Sequence, residues 1–269
     1  MSRIQHILEK AERDGSVWRM RGADPLPAGA VACALPPEAA PGGMGPEDPA
    51  SPALRVVTGA RLDRRLLAVL AADSVAAEQY RALRTRILHA DNGAAVRVVL
   101  ITSPGRGEGK TLTASNLGLT MAQEYQRRIC VVDADLRHPQ MHRLFGLPDR
   151  PGLSDVLAGQ AALEEALIEI GDHQITVLPA GRPPSHPVEL LGTAAMRRSL
   201  DTLRSQFDRV VLDAPAATPL ADVGILTPLV DSVLLVVRSG ATSKPAIHDA
   251  VAAIDASKLL GVVLNGAAA

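Results

Sequence analysis

A glycine-rich segment, Ser103–Thr111, carries the clearest chemical signal in the chain. It follows an apolar run and precedes a segment of helical character, so we expect a strand, a turn and a helix in that order. Glycines let backbone N–H groups converge on an anion, and the N-terminus of the following helix adds partial positive charge. Lys110 can then reach the β- and γ-phosphates of a nucleotide, and Thr111 can ligate Mg²⁺. The segment predicts a phosphate-binding loop, although Pro104 occupies the first glycine position of the strict pattern.

Carboxylates at the ends of two other apolar runs indicate a magnesium site. Asp133 and Asp135 follow one such run, and Asp213 ends another. Mg²⁺ takes few carboxylates, keeps several waters and relies on phosphate oxygens. We therefore predict that Thr111 and one or two of these aspartates hold the ion, directly or through water. Any one of the aspartates, taken alone, is better explained as a helix N-cap.

Asp133 and Asp135 are predicted to have different tasks. Alternate residues of an extended stretch point the same way but lie about 6–7 Å apart. One is expected to bind the metal while the other orients or deprotonates an attacking hydroxyl. Arg137 follows on the same loop and is suited to bind a phosphate or a carboxylate bidentately, the alternative being an ordinary surface arginine. The histidines do not have the spacing of metal ligands. The sequence also shows no Ser/His/Asp or Cys/His arrangement of the kind that nucleophilic catalysis uses.

Six apolar, β-branched runs must supply the strands that position these residues. They are Val96–Thr102, Ile129–Asp133, Ile175–Pro179, Arg209–Asp213, Val233–Val237 and Val262–Asn265. They are almost continuously apolar, as strands buried on both faces are. Segments of helical character fall between them, over 111–126, 161–170, 187–206 and 244–257. This alternation predicts an α/β fold with a doubly wound, mostly parallel sheet, in which ligands bind at the carboxyl ends of the strands.

The N-terminal part of the chain differs in composition from the rest. Residues 1–21 are predicted to form an amphipathic helix, because apolar residues recur on one helical face. Residues 22–53 are dense in Pro, Gly and Ala, which predicts a disordered linker. Residues 54–269 are assigned to the nucleotide-binding domain, which includes a predicted helix over 73–90.

The overall composition excludes several classes of function. A net charge of −1 and a pI of about 6.7 provide no general attraction to nucleic acid or to an anionic membrane. The two cysteines are too few for a disulfide framework and fit a reducing cytosol. No apolar stretch approaches the roughly 18–20 residues of a membrane span, and the N-terminus lacks the apolar core of a signal peptide. We therefore expect a cytoplasmic protein whose only route to the membrane is a partner.

Taken in order, these residues resemble the bacterial tyrosine kinases, cytoplasmic P-loop kinases linked to capsule and exopolysaccharide export. The resemblance covers roughly residues 73–265. It rests on Glu78-Gln-Tyr-Arg81-Ala-Leu-Arg84, on the loop through Gly109-Lys110-Thr111, and on Val132-Asp133-Ala-Asp135-Leu-Arg137-His-Pro139. It continues with Pro187-Val-Glu189-Leu190-Leu191, with Phe207-Asp208 through Asp213-Ala-Pro215, and with Gly261-Val-Val-Leu-Asn265. The N-terminal Ser2-Arg-Ile-Gln resembles the subgroup encoded with exosortase-type loci.

The resemblance implies a Min/Par-like P-loop NTPase fold, ATP and Mg²⁺ as cofactors, and a role for each matched residue. The implied catalytic residues are Lys110, Asp133 and Asp135, with Asp133 as candidate base, and the implied metal ligands are Thr111, Asp133 and Asp213. The implied nucleotide contacts are Gly105, Arg106, Gly107, Glu108, Gly109, Lys110, Thr111, Leu112 and Arg137.

The resemblance also implies two kinds of partner. Glu78, Arg81 and Arg84 would mediate ring-like homo-oligomerisation, although helical spacing of this kind usually means a solvated charged face. A transmembrane chain-length-determinant protein, a polysaccharide co-polymerase, would supply an activating cytoplasmic segment.

The departures from the family pattern leave two other functions open. The family's tyrosine-rich acceptor tail is expected to be missing, since the sequence reads Ala267-Ala268-Ala269 after Gly266 and its tyrosines are Tyr80 and Tyr125. Both tyrosines are expected to be packing residues. A Min/Par-type positioning ATPase is one alternative, because Arg106 could stand for the early lysine of that class. A nucleotide-bound regulator without catalysis is the other.

Overall fold

The computed structural model describes residues 17–21, 55–90, 96–123, 127–219 and 221–267, and the first of these ranges by its backbone alone. Within these ranges nine strands form one sheet, in the order β1-β9-β8-β3-β7-β4-β6-β5-β2. The strands are β1 (Val17–Arg21), β2 (Arg55–Val57), β3 (Val98–Thr102), β4 (Ile129–Asp133), β5 (Ile168–Ile170), β6 (Ile175–Leu178), β7 (Arg209–Asp213), β8 (Ser232–Arg238) and β9 (Leu259–Ala267).

Helices connect most of the strands. They are α1 (Leu67–Leu70), α2 (Val75–His89), α3 (Lys110–Ala122), α4 (Met141–Leu144), α5 (Leu153–Leu157), α6 (Leu163–Ala166), α7 (Pro187–Leu191), α8 (Ala194–Gln206), α9 (Asp222–Leu226) and α10 (Lys244–Ala252). Single 3₁₀ turns lie at Gly171–His173 and Thr227–Leu229. Ser74 begins α2, where its hydroxyl accepts a hydrogen bond from the N–H of Ala77, as an N-cap does.

Seven neighbouring strands run parallel to one another, and β5 and β2 at one edge of the sheet run in the opposite direction. β3 lies between β7 and β8, and β7 lies between β3 and β4, all in parallel. β5 is antiparallel to β6, and β2 pairs in parallel with β5. The register places Asp133 of β4 directly opposite Asp213 of β7. The strand of the phosphate-binding loop is therefore separated from the strand of Asp133 by the strand of Asp213.

Each face of the sheet is covered by its own apolar core. Along β3, Val98 and Leu100 face a core shared with helix α8, while Val99 and Ile101 face a core shared with α2 and α3. All four side chains are at most 1% exposed. Burial on both faces explains why the strands read as continuous apolar runs rather than as alternating ones.

The predicted doubly wound α/β fold is confirmed, with local corrections. The six predicted strands are all present, and their bounds differ from those predicted by a few residues at most. The helix predicted over 161–170 is wrong in its second half, because Ile168–Ile170 is strand β5. The single helix predicted over 187–206 is two helices, because Thr193 caps the second one through the N–H of Met196.

The predicted N-terminal regions are described only in part. Val17–Arg21 is a strand paired with β9, so the helix predicted over 1–21 does not include these residues. The rest of that segment and the linker predicted over 22–53 lie outside the described residues. In the part of the chain that the structure describes, no helix is both long and apolar enough to cross a membrane.

Candidate nucleotide-binding site

The phosphate-binding loop joins β3 to α3 as its sequence predicts. Gly109 precedes the helix with φ at +98°, in the left-handed region that favours glycine. A Cβ at this position would also lie 2.0 Å from Nδ2 of Asn265, so glycine is required twice over. The next residue, Lys110, begins α3, so the loop leads directly into a helix N-terminus, as an anion site requires.

A cleft of about 780 Å³ opens over the loop. Seven of the predicted site residues line it: Arg106, Gly107, Gly109, Lys110, Thr111, Leu112 and Asp135. Residues from four other parts of the chain complete the wall, among them Asp63, Arg65, Arg143, Arg238 and Asn265. The volume is in the range of small-molecule sites, and the cationic lining suits a polyphosphate.

Lys110 is held between two carboxylates at the base of the cleft. Its Nζ donates to Oδ2 of Asp135 at 2.6 Å and lies 3.9 Å from Oδ1 of Asp213. Burial disfavours the charged ammonium, but Asp213 and Asp135 outweigh that effect and raise the pKa of Lys110. The lysine is therefore a fixed cation at neutral pH, positioned beside Thr111.

Asp133 has the position but not the surroundings of a catalytic base. Its carboxylate accepts hydrogen bonds from the backbone N–H groups of Asp135, Gln140 and Met141, at 3.1–3.2 Å. The side chain is fully buried, and burial together with the Asp213 carboxylate raises the pKa of Asp133 well above its usual range. The role of Asp133 as the base stays a prediction, and in this structure its oxygens hold the loop that follows β4. Of the three predicted aspartates, Asp135 is the one that lines the cleft.

Asp213 has the surroundings of a metal ligand. It is fully buried, and neither carboxylate oxygen has a hydrogen-bond partner among the described residues. Burial raises the pKa of Asp213 to about 6, against the opposing effects of the Lys110 ammonium and of the nearby Thr111 hydroxyl. A buried carboxylate with free lone pairs beside a threonine hydroxyl fits Mg²⁺, which needs few protein oxygens when phosphate is present. The described residues contain no group of three His, Cys, Asp or Glu side chains that could hold an ion unaided.

Arg137 lies outside the lining of the cleft. Its Nε and Nη2 donate to the carboxylate of Asp222 at 3.2–3.3 Å, and Asp222 is buried at the start of α9. The pair is bidentate and links two loops that are distant in sequence. The expected phosphate contact from Arg137 is thus replaced by a structural ion pair in this arrangement.

The predicted oligomerisation residues have partners within the chain. Arg81 donates to Glu78 at 2.6 Å and to the carbonyl of Ala72 at 2.8 Å. Arg84 donates to the carbonyl of Thr120 on α3 at 2.8 Å. Tyr80, on the same helix, is buried, and burial raises the pKa of Tyr80 to about 12. Tyr80 is the packing residue that the sequence predicts, whereas Tyr125 lies outside the described residues.

Sequence reasoning missed the contacts that join the loop to the last strands. Asn265 donates to the backbone carbonyl of Glu108 at 2.9 Å, and Thr242 donates to the Glu108 carboxylate at 2.9 Å. Glu108, expected to contact the nucleotide, is 8% exposed with its side chain turned to Thr242. Arg238, at the end of β8, was not assigned any role from sequence. The motif Gly261–Asn265 at the end of a strand is the sequence feature that points to Asn265. The sequence does not predict its partner, Glu108, which is 157 residues away.

The fold and the site together define a P-loop nucleotide-binding protein. Tyrosine-protein kinase YwqD of Bacillus subtilis (strain 168) is 36% identical over 216 residues, which cover 80% of this chain and 91% of YwqD. Tyrosine-protein kinase etk of Escherichia coli (strain K12) is 32% identical over 197 residues, and the chain covers 27% of that longer protein. The crystal structure of the chimerical protein CapA2B2 superposes with a TM-score of 0.73 at 30% identity, over 81% of this chain and 95% of that one.

No protein-family model matches the chain. A relative that is 36% identical over nine-tenths of its own length nevertheless shows the family. The chain belongs to the bacterial tyrosine-protein kinases.

Proposed function

We propose that this protein transfers the γ-phosphoryl group of ATP to a protein tyrosine, with Mg²⁺ as cofactor, and so regulates exopolysaccharide synthesis or export. The observation that supports it best is the ammonium of Lys110, held 2.6 Å from Asp135 and 3.9 Å from Asp213 at the base of the cleft. Phosphoryl transfer needs a fixed cation, a metal carboxylate and a group that positions the hydroxyl, and these three residues supply them.

The loop and Lys110 bind the nucleotide in this proposal. Backbone N–H groups of the loop hold the phosphates, and Lys110 exchanges its contact with Asp135 for the β- and γ-phosphates. Thr111 and Asp213 are the residues that would hold Mg²⁺, which neutralises charge on the transferred group. Asp133 keeps its three backbone donors and fixes the loop that carries Asp135.

Asp135 orients the acceptor in this proposal. It lines the cleft, and departure of Lys110 toward the phosphates leaves its Oδ2 free to accept a hydrogen bond from a tyrosine hydroxyl. Oδ1 stays bound to the backbone N–H of His138 at 3.0 Å, which keeps the carboxylate in place. Proton acceptance by Asp135 is the step that would follow.

The proposed partners are a second copy of the chain and a transmembrane chain-length-determinant protein. The surface of Glu78 and Arg81 would contact the second copy, since both side chains reach solvent. Arg84 would act indirectly, because it holds α2 against α3 through the Thr120 carbonyl. Replacing Arg81 by alanine is then expected to lower the molar mass measured by light scattering. An unchanged molar mass would mean that Glu78 and Arg81 form a solvated charged face and no subunit contact.

A Min/Par-type positioning ATPase is the second functional hypothesis for the same site. Arg106 lines the cleft, where the early lysine of that class would act. The family assignment favours the kinase. The two hypotheses predict different products, which are phosphorylated tyrosine for the kinase and free phosphate for the ATPase.

The decisive experiment measures where the phosphoryl group goes. Purified protein is incubated with γ-labelled ATP and a poly(Glu,Tyr) acceptor, with and without the partner's cytoplasmic segment. Wild type should label tyrosine, Lys110→Ala should not, and Lys244→Ala, which removes an exposed lysine at the start of α10, should match wild type. Release of phosphate without labelled tyrosine would replace the kinase by an ATPase. Absence of both ATP binding and turnover in the wild type would overturn the site itself.

A further inference from the structure

A second hollow lies away from the nucleotide cleft, where the loop before α5 meets the loop between β6 and α7. Its volume is about 500 Å³, and a smaller hollow of about 300 Å³ continues it beyond the Arg150–Asp155 pair. None of the residues lining it lines the nucleotide cleft. Its volume is within the range of small-molecule sites.

The backbone that carries Ser154 and Asp155, both of which line this hollow, is rigid. The backbones of Gly152 and Gly181 touch, since a Cβ on Gly152 would lie 2.2 Å from the nitrogen of Gly181. The N–H of Leu153 donates to the carbonyl of Pro179 at 2.7 Å, and that of Ser154 to Ala180 at 2.8 Å. A backbone held in this way is in place before any ligand arrives, so binding would require little ordering of it.

The charges around the hollow favour an anion. Asp155 is 5% exposed, and its carboxylate is already occupied by the guanidinium of Arg150 and by the N–H of Gly152. Arg150 has five N–H donors, of which only those on Nε and Nη2 are directed at Asp155. Arg182 adds a second, exposed guanidinium to the same wall. Asp155 and the nearby Asp149 balance the charge of Arg150. Arg182 forms no ion pair among the described residues, so its guanidinium is the cation left for a ligand.

Apolar surface lies next to these cations. Pro183, Pro184 and Leu190 line the hollow beside Arg182, and the hydroxyl of Ser185 and the ring of His186 complete the rim. The prolines stiffen the rim and leave few conformations to lose on binding. A group that fits this hollow carries an anion for the arginines and an apolar body for the proline and leucine surface.

We infer that this hollow binds a phosphotyrosine side chain of a protein, with its phosphate at Arg182 and Arg150 and its ring on the proline wall. The choice of phosphotyrosine rests on the proposed function, because tyrosine phosphate is the product of that reaction. Arginine guanidinium groups bind phosphate with two parallel hydrogen bonds, and proline and leucine surfaces accept the ring. A kinase with such a pocket would retain an acceptor that has already been phosphorylated while a further tyrosine reaches the nucleotide cleft.

The test is a binding measurement by fluorescence anisotropy in the absence of nucleotide. The probe is a fluorescein-labelled peptide with one phosphotyrosine, compared with the same peptide carrying tyrosine or phosphoserine. The phosphotyrosine peptide should bind at least about tenfold more tightly than the tyrosine peptide and about fivefold more tightly than the phosphoserine peptide. Binding of the phosphotyrosine peptide no tighter than that of either other peptide would overturn the inference, as would displacement by an equal concentration of inorganic phosphate.

Variants locate the binding. Arg182→Ala should weaken phosphotyrosine binding about tenfold, whereas Arg198→Ala, which removes an exposed arginine of α8, should not change it. Ser185→Asp, also exposed, should weaken it by adding a negative charge to the rim. Saturating Mg·ADP should leave binding unchanged, and displacement by Mg·ADP would place the peptide in the nucleotide cleft and overturn the inference.

Failure of the pocket and failure of the kinase are distinguishable, because this measurement uses neither ATP nor turnover. Labelling of poly(Glu,Tyr) without phosphotyrosine binding would refute the pocket and leave the kinase. Phosphotyrosine binding that is lost in Arg182→Ala would support the pocket even if the chain proved to hydrolyse ATP.

Discussion

The side-chain amide of Asn265 donates a hydrogen bond to the backbone carbonyl of Glu108 at 2.9 Å. This bond ties the end of β9 to the phosphate-binding loop, one residue before Gly109. The space for it exists because Gly109 has no Cβ, since a Cβ there would lie 2.0 Å from the same amide nitrogen. Strand β9 thus helps to set the shape of the loop that follows β3.

Gly109→Ala is expected to weaken Mg·ATP binding at least about tenfold, because the new methyl group would displace Asn265 and the positive φ would be strained by about 1–2 kcal/mol. Isothermal titration calorimetry measures it. Adding Asn265→Ala to this variant should restore only part of the affinity, because it removes the clash and leaves the strain. Unchanged affinity in Gly109→Ala would show that the loop does not bind the phosphates.

Asp213→Asn is expected to stabilise the nucleotide-free protein while it removes the response to Mg²⁺. The carboxylate is buried without a hydrogen-bond partner among the described residues. Burial outweighs the attraction of Lys110, 3.9 Å away, so neutralising Asp213 relieves a net cost. At pH 7.5 the Tm should rise by several degrees, since 1 kcal/mol corresponds to about 2–4 °C in a domain of this size. Asp231→Asn is the control and should lower the Tm, because Asp231 accepts from two backbone N–H groups and from Arg204.

The same carboxyl predicts a pH dependence of stability. Burial raises the pKa of Asp213 from 3.8 to about 6, so the folded state binds this proton more tightly than the unfolded state does. The contribution of Asp213 to the free energy of unfolding should therefore fall as the pH rises from about 4 to about 6. Urea denaturation of wild type and Asp213→Asn across this range measures it, and a difference between them that does not grow with pH would contradict the shift.

Arg137→Ala is expected to reduce stability without a comparable effect on nucleotide affinity. It leaves the buried carboxylate of Asp222 without its bidentate partner, which costs about 3–5 kcal/mol in such pairs. The double variant Arg137→Ala with Asp222→Asn should recover part of the loss, because no buried charge is then left alone. Chemical denaturation gives the stability and calorimetry the affinity. A large loss of Mg·ADP affinity in a folded Arg137→Ala protein would return this arginine to the phosphate site.

Cys130 is expected to be unreactive in the folded protein. It lies in the centre of β4, fully buried, and burial raises the pKa of Cys130 above its usual range, so the reactive thiolate is suppressed. In a Cys33→Ser variant, a thiol reagent such as DTNB should react only after denaturant is added. Rapid reaction under native conditions would mean that β4 is accessible, contrary to its place between β6 and β7.

Arg84→Ala and Arg81→Ala should separate packing from assembly on one helix. Arg84 donates to the Thr120 carbonyl, so its loss should lower the Tm. The Arg81–Glu78 pair is exposed and contributes less than about 1 kcal/mol, and the Ala72 carbonyl that Arg81 also binds belongs to an exposed residue that water can reach. Arg81→Ala should therefore lower the Tm less than Arg84→Ala does. Scanning calorimetry at equal protein concentration tests the difference, and equal loss in both variants would contradict it.

The sequence alone determined the parts that depend on neighbouring residues. Apolar runs that are continuous rather than alternating indicate buried parallel strands, and Gly109-Lys110-Thr111 at a strand-to-helix junction indicates a phosphate-binding loop. The helix predicted over 161–170 is wrong at strand β5, because Ile168–Ile170 is too short to show a period. The sequence therefore predicts the chemistry of a local motif, but it does not predict a strand as short as β5.

Tertiary structure decided what each site residue does. Asp133 and Asp213 are equivalent as strand-end aspartates in sequence, yet one is saturated by backbone N–H groups and the other has free oxygens. Arg137 could have faced a phosphate, but Asp222, 85 residues away, holds it. Partners of this kind meet only when the strand order brings distant loops to the same edge of the sheet. A single sequence records the donors and acceptors, and the sheet alone decides which of them are left free for a ligand.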